Sequence, residues 1–206
     1  MQLLAMLTML IDHVGLVFFP DQEIWRIIGR IAFPLYVYAL VQGYNRTSSK
    51  PRYIIRLSVI ALLSQIPYQL ALASSGLNVV VSLLAGVIVL LLLDRTESFL
   101  ISVFIAAGAG FIMEMFPFDY GAYGLILILI FRYAPVHWLV PWHLMLNILY
   151  MYLNGWFLQM WSLFPTVLYA YGPAIWRSLE RIRVRSWMWR SFYPLHLSLI
   201  AVIKWL

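Results

Sequence analysis

In one place this sequence sets a carboxylate and an imidazole side by side inside a long apolar run: Leu10-Ile11-Asp12-His13-Val14-Gly15. Titratable groups are costly to bury in such a run, so the pair is itself a functional hypothesis. Adjacent helical residues point about 100° apart, so Asp12 and His13 need different partners. Arg30 is the natural partner for Asp12. Counted back from the 20–24 loop at about 1.5 Å per residue, both lie roughly 10 Å deep. Such an ion pair leaves His13 free, and a neutral histidine is a good general base. The competing reading is an Asp–Arg staple with His13 bonded to a backbone carbonyl. Arg26 shares a helix face with Arg30 but is close enough to the boundary to snorkel. Arg30 is too deep for that, and could also bind a ligand carboxylate or phosphate.

The second constellation is Asp119-Tyr120-Gly121-Ala122-Tyr123-Gly124. Asp119 and Tyr120 open a helix. Asp119 reads equally as an N-cap and as a substrate contact. His137 reads as interfacial and structural. His143 is deeper, with Asn147 four residues on to bond it. His196 sits about 9 Å inside the last apolar segment, where it would meet a ligand or a neighbouring helix. Gln65, in Gln65-Ile66-Pro67-Tyr68, reads mainly as an interhelical hydrogen bond at a kink, with ligand contact as the lesser alternative. Arg46, Lys50, Arg52 and Arg56 form one basic cluster; Arg177, Arg181, Arg183, Arg185 and Arg190 form another. Both read first as anchors on anionic lipid, and either could bind phosphates.

The elements that must carry these residues follow from composition. The chain of 206 residues is 64% hydrophobic and 11% charged, well below the roughly one-quarter charged of soluble domains. Apolar segments fall at 2–19, 25–44, 54–73, 77–93, 98–113, 120–133, 138–153, 156–172 and 191–206. Continuous runs without alternation exclude a β-barrel. The expected fold is all-α: a polytopic transmembrane helical bundle of about nine short spans, one integral-membrane domain over 1–206. Bends are expected at Pro67 and Pro165. The two basic clusters should be cytoplasmic, while the 20–24 and 114–119 loops carry Asp21, Glu23, Glu114 and Asp119 without a cation. Nine spans with a cytoplasmic N-terminus satisfy all four loops. The net charge of +6 is therefore anchoring charge, and nucleic acid is not an expected partner. Without cysteine, disulfides, thiolate metal sites and cysteine nucleophiles are excluded. The first segment lacks a basic n-region and is interrupted by Asp12, so it is expected to remain as a span.

Five blocks, in order along nearly the whole chain, resemble the TraX family: Ile11-Asp12-His13-Val14-Gly15, Arg26-Ile27-Ile28-Gly29-Arg30-Ile31-Ala32-Phe33-Pro34-Leu35, Leu63-Ser64-Gln65-Ile66-Pro67, Asp119-Tyr120-Gly121-Ala122-Tyr123-Gly124 and Phe192-Tyr193-Pro194-Leu195-His196-Leu197. The resemblance implies acyl transfer. The family's founding member is linked to N-terminal acetylation of conjugative pilin, with acetyl-CoA as donor. The family also looks distantly related to transmembrane acyltransferases such as heparan-α-glucosaminide N-acetyltransferase, which use a membrane-buried histidine. On that basis His13 is the expected base or acetyl acceptor, fixed by Asp12 and Arg30. Asp119, Tyr120, Gln65 and His196 are the expected acceptor contacts. Arg181, Arg183, Arg185, Arg46 and Arg52 are the expected phosphate contacts of acetyl-CoA, and no metal is expected. The expected setting is the bacterial plasma membrane, multi-pass, with lipids and a peptide, pilin-like or glycan acceptor as partners; self-association stays open. Rival readings are a proton-coupled small-molecule transporter using Asp12, His13 and Arg30, a haem protein ligated by His13, His143 or His196, and a structural subunit.

Overall fold

The computed structural model describes residues 1–206 and is helical throughout. Helix α1 (Gln2–Phe18) stops where Pro20 cannot continue it. The next segment is not the single helix expected for 25–44. It forms α2 (Glu23–Gly29) and α3 (Ala32–Arg46), separated by a tight turn at Arg30 and Ile31. Pro34 explains the break: it has no N–H for the carbonyl four residues back, that of Arg30, and its ring crowds that carbonyl. Helix α4 (Lys50–Leu72) runs through Pro67. Then follow α5 (Val79–Leu93), capped by the Asn78 side chain, and α6 (Phe99–Met115), capped by Ser98. Helices α7 (Gly121–Tyr133) and α8 (Val136–Asn154) complete the middle of the chain.

The stretch at 156–172 also departs from expectation. It is a 3-10 turn (Phe157–Ser162) leading into α9 (Leu163–Tyr171). A nine-residue helix rises only about 14 Å, so α9 alone cannot cross a bilayer core of about 30 Å. The segment read as a basic loop contains a short amphipathic helix, α10 (Pro173–Arg181), before α11 (Ser186–Trp205).

Consecutive helices run end to end. At one end Tyr44 donates to Asp94, Arg132 pairs with Asp94, and Tyr38 donates to Glu180 of α10. The Met1 amine donates to the Leu179 carbonyl, and the Val184 amide donates to Gln2 Oε1 at 3.2 Å. This end holds both arginine clusters. At the other end Lys204 donates to the Ala71 carbonyl, and the 74–78 turn meets the 116–120 loop. The main core joins α1, α3, α4, α5, α7, α8 and α11 around Phe33, Tyr44, Leu90, Leu127 and Leu197. Two helices are long and apolar enough to cross a membrane, Glu23–Arg46 taken through its break and Lys50–Leu72; Gln2–Phe18, Val79–Leu93, Phe99–Met115 and Gly121–Tyr133 are apolar but shorter. Helix α6 buries only Met113 and leaves Phe104 68% exposed, and α4 turns Leu62, Leu63 and Ile66 outward. Apolar faces of that extent need an apolar surrounding.

Candidate functional site

The site begins where α1 crosses α2. Asp12 Oδ1 accepts from Arg26 Nη1 at 2.9 Å and from Arg30 Nη2 at 3.4 Å. Arg30 therefore pairs with Asp12 as expected, but Arg26 does not snorkel: it is the nearer cation. Gly29 makes the crossing possible, since a Cβ there would lie 1.9 Å from Asp12 Oδ1. Gly15 does the same for Trp25, whose Cβ would be 2.1 Å from an added methyl carbon. Arg30 reaches further, donating to Tyr120 OH at 3.5 Å and to Gln159 Oε1 at 3.3 Å. Its kink position allows this: the helix breaks at Arg30, so the side chain leaves the bundle axis between α1, the 116–120 loop and the 3-10 turn. Both guanidinium groups share a single carboxylate oxygen, which leaves N–H donors on them free to meet an oxyanion.

His13 lies one residue along, on another face. Its Nδ1 is 2.8 Å from His196 Nε2, with the rings nearly coplanar at 3°. His196 Nδ1 in turn lies 2.7 Å from the Phe192 carbonyl. A carbonyl only accepts, so His196 Nδ1 carries the proton and its Nε2, in the neutral ring, the lone pair. His13 Nδ1 must then donate, and His13 Nε2 holds a lone pair that no protein group uses. His196, expected from sequence as an acceptor contact, is a hydrogen-bond partner of His13 and lines none of the three cavities around the site.

Asp119 and Tyr120 come from the 116–120 loop. The Asp119 amide donates to the Leu77 carbonyl at 3.1 Å, and Ser82 Oγ donates to the Asp119 carbonyl at 2.5 Å. Tyr120 is left-handed, at φ 64°. A tyrosine held there is strained; its ring stacks on Phe33 at 3.9 Å, and its hydroxyl takes the Arg30 bond. Asp119 does not cap α7, because Glu114 Oε2 accepts from the Ala122 amide instead. The Asp119 carboxyl has no side-chain partner, and burial pushes its pKa up to about 6 against the pull of Arg30.

Three cavities meet here. A chamber of about 230 Å³ is lined by Asp12, His13, Arg26, Arg30, Asp119 and Tyr120. It shares Arg26, Arg30, Asp119 and Tyr120 with a vestibule of about 900 Å³ at the end away from the arginine clusters. On the arginine-rich side a groove of about 290 Å³ shares Met9 and Val79 with the chamber. Its lining includes Arg56 and Arg190; Arg46, Arg52, Arg181, Arg183 and Arg185 are exposed and line none of the three. Gln65 also lies outside them. Its amide donates to the Gly76 carbonyl at 2.8 Å and its oxygen accepts from Asn78 at 2.7 Å, so it holds the 74–78 turn.

Sequence reading expected Asn147 to bond His143; the two instead meet through Tyr123 and Ser162, in a buried network beside the chamber whose other members it missed. Tyr123 donates to Asn147 Oδ1 and accepts from Gln159 Nε2, while His143 meets Thr166 Oγ1 at 2.8 Å and Ser162 Oγ at 3.1 Å. Gln159 ties this network to Arg30. Serine, threonine and glutamine inside apolar runs gave no signal that they converge.

The fold and site define an all-helical, membrane-associated protein with a charged polar chamber among its helices. The family described as TraX protein matches residues 1–204, and the chain belongs to that family. It is 37% identical over 84 residues to Uncharacterized protein RP591 of Rickettsia prowazekii (strain Madrid E). That match covers 40% of this chain and 32% of the relative, so the chain spans about a third of the relative's length. No solved structure matches.

Proposed function

We propose that this protein is a membrane-embedded acyltransferase that moves an acetyl group from acetyl-CoA to an amine or hydroxyl acceptor. One observation carries the reading: the unused Nε2 of His13 faces a chamber that also holds the guanidinium groups of Arg26 and Arg30. Membership of the TraX family supports it. In the transfer, the acceptor nitrogen or oxygen attacks the thioester carbonyl while His13 Nε2 takes its proton. A C–N or C–O bond forms, and Arg26 and Arg30 meet the charge on the carbonyl oxygen. The C–S bond then breaks, and the thiolate leaves with the proton from His13. His196 holds the tautomer that frees Nε2, and Asp12 holds the arginines.

The arginine-rich end would face the cytoplasm of a bacterial plasma membrane, with the 3-10 turn and α9 together making one of nine passes. The donor would then arrive from the cytoplasm and the acceptor through the vestibule on the far side. Asp119 in that vestibule favours an amine-bearing acceptor, the N-terminus of a peptide or pilin-like protein, over a glycan. The test is transfer of radiolabelled acetyl from acetyl-CoA to an acceptor peptide by reconstituted protein. His13→Ala should abolish it, and wild-type rates from that variant would sink the reading. The linked cavities also describe a transport path, and His13-dependent substrate flux into proteoliposomes without any acetyl donor would favour that second reading.

A further inference from the structure

The groove on the arginine-rich side holds two polar groups that nothing in the protein satisfies. The hydroxyls of Tyr36 and Tyr193 are both buried and both without a hydrogen-bond partner, and both residues line the groove. Tyr193 is only 4% exposed. The Val79 amide stands near its hydroxyl; an amide is a donor, so the phenolic proton still lacks an acceptor. Buried hydroxyls in native proteins are nearly always paired, and two orphans in one cavity need an explanation. The remainder of the lining is mostly apolar, with Leu40, Leu57, Ile60 and Leu83 among it.

We infer that the groove is the donor site, and that Tyr36 and Tyr193 donate to the carbonyl oxygens along the amide-bearing arm of a phosphopantetheine-type acyl thioester. This rests on the acyltransferase reading. Two features set the direction of the ligand. Arg56 and Arg190 stand at the groove's outer end, where an anionic phosphate head would sit. At the inner end the Tyr193 ring packs 6.3 Å from the ring of His13 and 5.6 Å from that of His196. Only Met9 and Val79 line both groove and chamber, so an arm laid along the groove delivers its terminal thioester to His13. From Gln2, at the groove's outer end, to His13 helix α1 rises about 16 Å, a distance that such an arm can span when extended. A saturated acyl chain offers no acceptor for the phenols, and this argues for the amide arm over a lipid tail.

The experiment is calorimetric titration of the purified full-length protein with acetyl-CoA, alongside transfer assays using acetyl-CoA and the headless small thioester S-acetyl-N-acetylcysteamine. Tyr36→Phe and Tyr193→Phe should each weaken acetyl-CoA binding about tenfold while leaving the unfolding temperature unchanged. Arg56→Gln with Arg190→Gln should weaken acetyl-CoA by a similar factor without reducing transfer from the headless thioester. Unchanged acetyl-CoA affinity in all three variants, or a loss seen only on replacing Arg181, Arg183 and Arg185, would overturn the site. So would a phospholipid that co-purifies with wild type, is lost from the tyrosine variants and is not displaced by acetyl-CoA. His13-dependent transfer in the presence of any of these results would leave the acyltransferase reading standing. Absence of transfer from both thioesters would remove that reading first.

Discussion

Two buried histidines in this protein have opposite surroundings. His143 is fully enclosed, with Nδ1 against Thr166 and Nε2 against Ser162 and Tyr123. His13 is nearly as buried but uses one nitrogen only, and its other faces a cavity with charged walls. A network in which every donor meets an acceptor fixes side chains and leaves nothing for a substrate. A pair that directs one lone pair into an open chamber has reactive capacity left over. Burial and residue type, which sequence reveals, do not separate the two sites; the accounting of protons does.

The largest expected effect tests that contrast directly. His13→Ala should lower acetyl transfer by about a thousandfold while costing less stability than His143→Ala, since it strands one partner, His196 Nε2. His143→Ala should do the reverse: it strands the hydroxyls of Thr166 and Ser162 and should cost about 3 kcal/mol of stability. Initial rates and chemical unfolding on the same preparations decide. If His143→Ala kept full stability and lost all transfer, the contrast between the two sites would be wrong.

Next in size is Gly29→Ala. The added carbon would lie 1.9 Å from Asp12 Oδ1, so either α2 must retreat or the carboxylate must turn from Arg26 and Arg30. Overpacking of this kind costs about 1–3 kcal/mol, and the loss of the fixed guanidinium groups should lower transfer by about a hundredfold. A serine or alanine at Gly108, where an added Cβ meets nothing, is the control. Equal effects at both glycines would show that α1 and α2 are not held at this separation.

The helical class, the succession of apolar helices and the charged loops were readable because length, hydropathy and arginine position act locally. The Asp12–Arg30 pair was readable because depth along a helix follows from residue count. Azimuth does not follow in the same way. His13 and His196 are 183 positions apart, and only the rotation of α1 against α11 brings their nitrogens to 2.8 Å. The same applies to Arg190 and Arg56, which face the groove, while Arg181, Arg183 and Arg185, in the same basic cluster as Arg190, face away. The break between α2 and α3 was legible in principle, since Pro34 stands four residues after Arg30. An apolar run that continues unchanged through Ile31 and Ala32 concealed it.

A smaller effect should separate positioning from contact at the histidine pair. His196→Ala removes the acceptor that holds the His13 Nδ1 proton, allowing the ring to change tautomer or turn. Transfer should fall by about tenfold to a hundredfold in kcat, with KM for acetyl-CoA little changed. Glutamine at 196 can still present an oxygen to Nδ1, so His196→Gln should recover most of the rate. A rise in acceptor KM in both variants, at constant kcat, would instead return His196 to the acceptor contact that the sequence implied.

The smallest effect concerns pH. Asp119 titrates near 6 because burial disfavours its carboxylate more than Arg30 favours it. Its pKa is raised over the unfolded value, so the native state keeps this proton longer. Its contribution to stability is therefore present at low pH and declines as pH rises through about 4 to 6. Asp119→Asn removes that decline, so the variant should gain stability relative to wild type above pH 6 and show no gain below pH 4. Binding should follow the opposite sense for a cationic amine acceptor, whose KM should fall as Asp119 ionises and should lose that step in the asparagine variant. A pH-independent acceptor KM in the wild type, together with the expected stability difference, would separate Asp119 from the acceptor and leave it as a group whose charge the fold merely tolerates.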